Sequence, residues 1–507
     1  MSATAAFNST ALADVLRVTL QVTPQVTPQV TPHNGRFDWS VDPATDLRWG
    51  GSRLLVADGP PTPDRTHVSA VGSQLHIATS WLSTMPLFVH RGESITLSHD
   101  LSQLVPSAWP LTHDPAKVMD FYKHGNSPDN FSLFREIQVV DVGDTVTIDL
   151  ATGKFQVGVH PSPAKAQPLA PEQTRDALLA SLDALTRGRN VAFAISGGVD
   201  STLLVALYRH LHPTAPMRCY HANTGSGSDT QYARMAAKHL KVDLVEVKVG
   251  YGDAELDVHE RMTAAACGPI TITGNSIGFG RVCTAARADG FEGIVDGTGA
   301  DVIFAGMYSI DGFAWGLSKG VDRSSENYKA LIALATSDDL LTRKQLAELS
   351  RRWGEVDFTD HIHHRLKRSM LRKWMHQHHV NAKAHGIDVI KPYMDPELAR
   401  FVFNPPTAYF QRGMNKSILR DIMADLLPAQ VATRVDKQGC RYPIRRLLTD
   451  NRARVDAVIR RPTRIARTLP ALDKIMARMR LLTKGSLSRM YALCLYEQRC
   501  LDAAAGG

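Results

Sequence analysis

The sequence predicts an α/β fold in two parts: a strand-rich α+β N-terminal domain, followed by a parallel-sheet domain with a helical C-terminal part. Three observations predict it. The chain has 507 residues, and a single domain usually holds about 150. Short alternating apolar runs such as QLHIATS and SITLSHD, between residues 37 and 160, are typical of strands. After Thr174, strand patterns alternate with helical patterns, which predicts βαβ crossovers and a parallel sheet.

The elements follow in order along the chain. The repeat QVTPQVTPQVTP at residues 21–32 places a proline at every fourth position, which excludes a helix, so residues 1–35 are expected to form a flexible arm. The N-terminal domain is predicted over 36–159. Residues 160–173 contain four prolines and no periodicity, which indicates a linker. The second domain, 174–507, begins with alternating helices and strands and is mostly helical beyond Asp311.

Composition excludes several classes of protein. With 44% hydrophobic and 21% charged residues, the chain has enough apolar material for a large core. No apolar stretch approaches the roughly 18 residues that span a bilayer, and no signal peptide is recognisable, so we expect a cytoplasmic protein without a membrane partner. The net charge of +8 is mild for this length, and no nucleic-acid-binding module is visible. The six cysteines lack the spacing of a zinc site.

One segment carries the chemistry. The run AISGGVDST, residues 194–202, stands where the first strand of the predicted parallel sheet turns into its helix. Free backbone N–H groups and the helix dipole make such a turn an anion site, and two glycines allow close approach of a phosphate. No GxxxxGK[ST] motif occurs, so this is not a Walker A loop. The expected phosphate-binding residues are Ile195, Ser196, Gly197, Gly198, Asp200 and Ser201.

SGGVDST resembles the signature of ATP pyrophosphatases of the asparagine-synthetase type, and four later segments resemble that family in the same order. These are RCYHANTGSGSDTQYA at 218–233, DGTGADVIFAG at 296–306, IDVIKPYMDPELARFV at 387–402 and MNKSILRDIMADLLPAQVATRVDKQG at 414–439. Five ordered segments make the resemblance specific. It covers residues 174–445 strongly and the N-terminal domain loosely.

The resemblance implies a fold, a reaction and roles for residues. The fold is an adenine nucleotide α-hydrolase-like synthetase domain, preceded by a degenerate Ntn-type glutamine-amidotransferase-like domain. The family cleaves Mg-ATP between the α and β phosphates, adenylates a carboxylate and lets an amine displace AMP. The backbone near Ala222 would meet adenine, and Gly297 and Thr298 would also contact ATP. Asp200 and Asp301 would hold Mg²⁺, and Lys437 would stabilise the developing charge.

Departures from the family pattern narrow the expectation. The sequence begins Met1-Ser2-Ala3 and its first cysteine is Cys219, so it lacks the N-terminal cysteine with which glutamine-using members make ammonia. The amine is then expected to come from the substrate itself, as in β-lactam synthetases and lasso peptide cyclases. The β-lactam branch has a tyrosine base where this chain has Thr298 and a Gly-x-His-Glu run where this chain has Gln438 to Arg441. It also has a shorter connection between the positions of Asp301 and of the KPYMD segment at 391–395.

These departures favour a lasso peptide cyclase, which joins a peptide's N-terminal amine to an Asp or Glu side chain. The alternative is a small-molecule ligase that closes a β-lactam or uses free ammonia. The implied partners are the precursor peptide, a leader peptidase and a leader-recognition protein. The residues assign no general base, and an α-amine with a pKa of about 8 needs little help. The histidine-rich run 361–379 is more typical of a solvated helix face than of a metal site.

Overall fold

The computed structural model describes five strand segments between residues 17 and 56, then residues 66–159 and 171–304 with short internal gaps. It also describes 375–398 apart from 396, and residues 416–434, 442–461, 465 and 484–501.

Twelve described strands form two six-stranded sheets in the N-terminal part. The first sheet has the order β10-β8-β9-β1-β3-β2 and the second β12-β11-β7-β6-β5-β4. Their bounds are β1 Arg17–Gln21, β2 Thr31–His33, β3 Arg36–Asp38, β4 Leu47–Arg48, β5 Leu54–Val56, β6 Thr66–Val71, β7 Gln74–Ala78, β8 Leu87–Arg91, β9 Ser94–Ser98, β10 Ile137–Val140, β11 Asp144–Asp149 and β12 Phe155–Val159. Alternation explains β11, where Val146 and Ile148 are buried between half-buried polar neighbours.

Two helices complete this part, α1 (Leu101–Ala108) and α2 (Pro115–His124). The Asp114 carboxylate caps α2 by accepting from the Ala116 N–H at 2.9 Å, and proline at the first helical position needs no such partner. Gly125, at φ 79°, ends the helix.

Residues expected to form an arm contribute strands to the first sheet. β1 pairs antiparallel with β9 and parallel with β3, and β2 pairs with β3. The expectation of an arm over 1–35 is therefore wrong at these two segments. The prolines of the QVTP repeat exclude a helix but not a strand at the edge of a sheet. Pro32 lies on β2, which is such an edge strand. Residues 22–30 of the repeat lie outside the described part.

The second half is built on a five-stranded parallel sheet, as the sequence predicts. Its order is β15-β14-β13-β16-β17, with every neighbouring pair parallel. The strands are β13 Val191–Ala194, β14 Arg218–Asn223, β15 Asp243–Lys248, β16 Gly293–Val295 and β17 Asp388–Ile390. The chain order reverses between β13 and β16, which makes this the topological switch point, where open α/β sheets bind ligands beyond the strands' carboxyl ends.

Helices connect and surround this sheet. The described ones are α3 Pro171–Thr186, α4 Val199–Leu211, α5 Asp229–Leu240, α6 Asp253–Ala266, α7 Gly274–Ala288, α8 Ala300–Ile303, α9 His376–Ala384, α10 Ser417–Ala424, α11 Ala429–Ala432, α12 Ile444–Asp450, α13 Arg452–Arg460 and α14 Lys484–Tyr496. A 3₁₀ turn spans Pro392–Met394 and a π turn Glu497–Leu501. The predicted alternation of helices and strands after Thr174 is confirmed from α3 to β15.

The two halves share apolar packing. One cluster contains Phe88 and Phe121 from the N-terminal part together with Val258, Met262 and Tyr491 from the second. A separate cluster packs α3, α4 and α10 around β13 and fixes the start of α4. Five cysteines are described, and all five are buried and free. Among the described helices, none has the length and apolar character needed to cross a membrane.

Candidate nucleotide and ligation site

The glycine-rich loop follows β13 and enters α4. Gly197 has φ 73°, and a Cβ there would lie 2.4 Å from the Asp229 backbone carbonyl oxygen, so both conformation and space require glycine. The Ser196 N–H donates to the Ser201 Oγ at 2.9 Å, and the two hydroxyl oxygens are also 2.9 Å apart. Ser196 is nevertheless exposed, while Asp200 is buried. The loop is thus closed on itself and leads directly into the first turn of α4.

Residues 296–301, called the acidic turn below because they begin and end with an aspartate, follow β16 and pack directly against that loop. A Cβ on Gly297 would lie 2.7 Å from the Ser201 backbone nitrogen, so no side chain fits between them. Gly299 has φ 111° and lets the chain turn into α8, whose first turn carries Asp301. The two segments that the sequence singled out therefore meet at the switch point of the sheet.

Lys416 joins the two predicted metal ligands. Its Nζ lies 2.6 Å from both carboxylate oxygens of Asp200 and also contacts the Asp301 carboxylate. Lys416 is only 5% exposed. Burial lowers its pKa, but the charges and hydrogen bonds of Asp200 and Asp301 outweigh burial and raise the pKa above its usual value. The lysine therefore stays charged and neutralises a carboxylate pair. The Tyr393 hydroxyl donates to the Asp200 backbone carbonyl at 2.9 Å, which fixes the same turn.

The same carboxylates fit Mg²⁺ in donor type. Magnesium takes oxygen ligands and is usually held by one or two carboxylates together with substrate phosphates and water. Asp200 and Asp301 converge on one cation, the Lys416 ammonium, so their oxygens face a common point. No group of three or more His, Cys, Asp or Glu side chains suited to a metal occurs among the described residues. Two carboxylates, together with phosphate oxygens and water, would supply the ligands that magnesium usually takes.

The expected adenine position lies on the neighbouring strand. Ala222 is at the carboxyl end of β14, and its Cβ would lie 3.2 Å from a Cβ on Gly278 of α7, so that helix approaches the strand closely. His221 joins this strand to the glycine-rich loop: its Nδ1 is 2.9 Å from the Ile195 carbonyl and its Nε2 2.9 Å from the Thr230 hydroxyl. Burial lowers the pKa of His221, which indicates a neutral structural ring.

Arg434 holds the glycine-rich loop from the other side. Its guanidinium donates to the Gly197 carbonyl at 2.9 Å, pairs with the Asp229 carboxylate and lies over the Tyr232 ring, with 4.2 Å between Cζ and the ring centroid. Arg434 is 4% exposed. Because it contacts both the loop and α5, it fixes the loop's distance from that helix.

A second polar cluster lies on the acidic turn. The Nδ1 of His378 on α9 is 2.7 Å from the Asp296 Oδ2 and 3.0 Å from the Thr298 Oγ1, and the Thr298 hydroxyl also donates to Asp296. Burial raises the pKa of Asp296, but its interactions with His378, Thr298 and Lys391 lower it below its usual value. Burial lowers the pKa of Lys391 to about 8, and the Asp296 charge opposes that shift. Asp296 is therefore an ionised carboxylate.

The structure brings most of the predicted site residues together. The glycine-rich loop, Gly297, Thr298 and Asp301 share the switch point, and Ala222 lies on the adjoining strand. Lys437 and Cys440 lie outside the described residues, so Lys437 stays a prediction. Sequence reasoning missed Lys416, Arg434 and His378. Lys416 and Arg434 stood in the quoted segment 414–439, and their alignment with the family's lysine and arginine was the signal available.

A parallel sheet whose glycine-rich loop and acidic turn meet at the switch point defines a nucleotide-binding α/β protein. The sequence profile described as Asparagine synthase matches residues 173–495. The chain therefore belongs to the asparagine synthase family, whose members use ATP, typically with Mg²⁺, to form amides.

Among solved structures, the chain is similar to the U34-tRNA thiolase NcsA from Methanococcus maripaludis with its 4Fe-4S cluster, at 13% identity over 63% of this chain and 86% of that chain. The TM-score is 0.27, which is too low to support an argument about this chain. No curated protein matches the sequence.

Proposed function

We propose that this protein is a lasso peptide cyclase, an ATP-dependent peptide macrolactam synthetase. It adenylates an Asp or Glu side-chain carboxylate of a leaderless precursor peptide and joins that carboxylate to the peptide's own N-terminal α-amine. AMP and pyrophosphate are released. The alternative is a small-molecule ligase of the same family, either closing a β-lactam or using free ammonia.

The observation that carries the proposal is a contrast between the two halves of the chain. The synthetase half has its loop, acidic turn and Lys416 assembled, whereas residues 1–218 contain no cysteine. Glutamine-dependent amide synthesis needs a cysteine nucleophile in the N-terminal domain. Cys219 cannot serve, because it is buried on β14 and burial raises its thiol pKa to about 12. A substrate that carries both the carboxylate and the amine removes the need for ammonia.

The chain's own residues then have defined tasks. The first turn of α4 and the glycine-rich loop would bind the pyrophosphate part of ATP through N–H groups and the helix dipole. Asp200 and Asp301 would hold magnesium, which neutralises phosphate charge when bound. When magnesium is not bound, the Lys416 ammonium holds these two carboxylates together. Lys437 is proposed to screen the charge that develops on the adenylated carboxylate.

Ring closure is favoured by proximity. Both reacting groups belong to one peptide, so a peptide held in a folded conformation presents its amine at a high effective concentration. The step forms one C–N bond and breaks the acyl C–O bond to AMP, while the amine loses a proton.

The test is in vitro turnover with purified full-length protein, ATP and Mg²⁺. The probe is a set of synthetic leaderless peptides with a free N-terminus and one Asp or Glu at each internal position in turn. We expect at least one peptide to lose the mass of one water, with AMP and pyrophosphate formed in equal amounts. The matched control is the same peptide with an acetylated N-terminus, which should give no macrolactam. Turnover with aspartate plus ammonia or with a β-amino acid, and none with peptides, would establish the small-molecule alternative.

A further inference from the structure

His378 has the environment of an oriented proton acceptor. It belongs to the histidine-rich run 361–379, for which the sequence favoured a solvated helix face, yet its side chain is only 13% exposed. The ring stacks on Phe279 of α7, with centroids 4.2 Å apart and planes inclined by 12°. Phe279 follows Gly278, which approaches Ala222 on the expected adenine strand. The His378 ring thus lies between α7, which packs against that strand, and the acidic turn.

The hydrogen bonds of His378 define its tautomer. Both of its described hydrogen bonds involve Nδ1, which faces the ionised Asp296 carboxylate and the Thr298 hydroxyl. A carboxylate accepts only, so Nδ1 carries a proton, and the neutral form of the ring would have its lone pair on Nε2. Nε2 has no hydrogen-bond partner among the described residues. This carboxylate–imidazole pairing orients a base in the manner of a catalytic triad.

Other groups near this position are less suited to the role. Thr298 has no titratable group. The buried Lys391 Nζ donates to the Met375 carbonyl at 3.2 Å and lies in the field of Asp296, so its described contacts are structural. Lys416 is held by two carboxylates. Among the titratable side chains that contact the acidic turn in the described structure, His378 alone offers an unpaired basic atom.

We infer that His378 is the general base of the amide-forming step and that Asp296 is its positioning residue. This inference deepens the proposed function and rests on it, because it assigns the proton acceptor for the attacking amine. The amine nitrogen attacks the acyl-adenylate carbon, the C–N bond forms, and the C–O bond to AMP breaks. The proton leaves the nitrogen for Nε2 of His378, and AMP departs as its phosphate anion. An α-amine with a pKa of about 8 is largely protonated at neutral pH, so the sequence-based expectation that it needs little help is replaced. Its neutral fraction attacks, and the proton of the resulting cationic nitrogen passes to Nε2.

The test separates adenylation from amide formation in the purified full-length protein. Adenylation is measured by ATP–pyrophosphate exchange with the N-acetylated peptides, and acyl transfer by hydroxamate formation when hydroxylamine is added. Hydroxylamine is unprotonated at neutral pH and does not need the base. Amide formation is measured with the free-amine peptides. The variants are His378→Gln and Asp296→Asn, and the matched control is His239→Gln, an exposed histidine on α5.

We expect His378→Gln to lower amide formation by about 100-fold or more, the usual range for a lost general base. Exchange and hydroxamate formation should stay within threefold of the wild type. Asp296→Asn should lower kcat for amide formation at least tenfold without changing KM for ATP. Amide formation within threefold of the wild type in His378→Gln overturns the inference. A parallel loss of exchange and amide formation also overturns it, because it would show a structural role.

Failure of the proposed function is distinguishable from failure of this inference. If the wild type converts no peptide but converts aspartate and ammonia, the same three measurements are made with those substrates. The peptide proposal then fails while the base assignment is still tested.

Discussion

Removing the Lys416 charge should destabilise the protein as well as inactivate it. In Lys416→Met the side chain keeps a similar length, but the Asp200 and Asp301 carboxylates lose the ammonium group that they share. Deleting one partner of a buried ion pair costs about 3–5 kcal/mol, because an uncompensated charge is left behind. Residues 173–495 number 323, and at about 2.1 cal/mol/K per residue their unfolding entropy is about 0.7 kcal/mol/K. The apparent Tm should therefore fall by about 4–7 °C.

The assay is thermal unfolding followed by circular dichroism at pH 7.5, with and without Mg²⁺. Magnesium should raise the Tm of Lys416→Met more than that of the wild type, because it restores a cation to the carboxylate pair. Combining Lys416→Met with Asp200→Asn should lower the Tm by less than the two single changes together. Lys238→Met on the exposed side of α5 is the control and should leave the Tm within 1 °C. A Lys416→Met protein as stable as the wild type would refute the reasoning.

Three further outcomes are expected. Gly297→Ala should lower ATP–pyrophosphate exchange at least 100-fold, because its Cβ would lie 2.7 Å from the Ser201 backbone nitrogen and would separate the two loops. Arg434→Met should raise KM for ATP at least tenfold in the same exchange assay, since the glycine-rich loop loses its guanidinium contact. In His259→Phe the free energy of unfolding should fall less between pH 7.5 and pH 5 than in the wild type, as measured by urea unfolding. Both His259 ring nitrogens are buried without a hydrogen-bond partner among the described residues, and burial lowers the pKa of His259 to about 3.

The sign for His259 follows from proton binding. The unfolded ring takes up a proton below its usual pKa of about 6.5, whereas the folded ring stays neutral down to about pH 3. Stability is therefore full above pH 6.5 and falls as pH drops toward 3. At pH 5 the loss is about 2 kcal/mol, from roughly 1.4 kcal/mol per pH unit. The His259→Phe protein should not show this loss. If its stability depends on pH as that of the wild type does, His259 protonates freely in the folded protein.

Controls define the other two predictions. Gly252→Ala places a Cβ in open space and should leave exchange unchanged. Arg187→Met removes an exposed arginine whose ion pair in the described structure is with Asp183, and it should leave KM for ATP unchanged. Normal exchange in Gly297→Ala would mean that the two loops tolerate separation. A normal KM in Arg434→Met would mean that the Gly197 carbonyl contact does not support nucleotide binding.

The sequence predicts those parts of the site that a local pattern marks. A glycine-rich turn after a buried strand, and an acidic turn after a later parallel strand, must lie at the same edge of the sheet. The structure places both there. Lys416 could not be found this way, because it is 216 residues from Asp200 and the pairing arises only when α10 packs on α4.

His378 shows a different limit. Six histidines lie between 361 and 379, and the periodicity of a helix does not say which of them faces a distant carboxylate. Its partner Asp296 is 82 residues away, beyond a segment that the described structure does not include. In the N-terminal half, local patterns did not predict β1, because β1 pairs with β9, which lies far along the chain.

The most direct test of the central claim is the mass and nucleotide balance of a single turnover. Purified protein with ATP, Mg²⁺ and the leaderless peptides should give a product lighter by one water, with one AMP and one pyrophosphate per product, and fragmentation should place the new amide between the N-terminus and an Asp or Glu side chain. ADP in place of AMP, or equal turnover of N-acetylated peptides, would contradict the account.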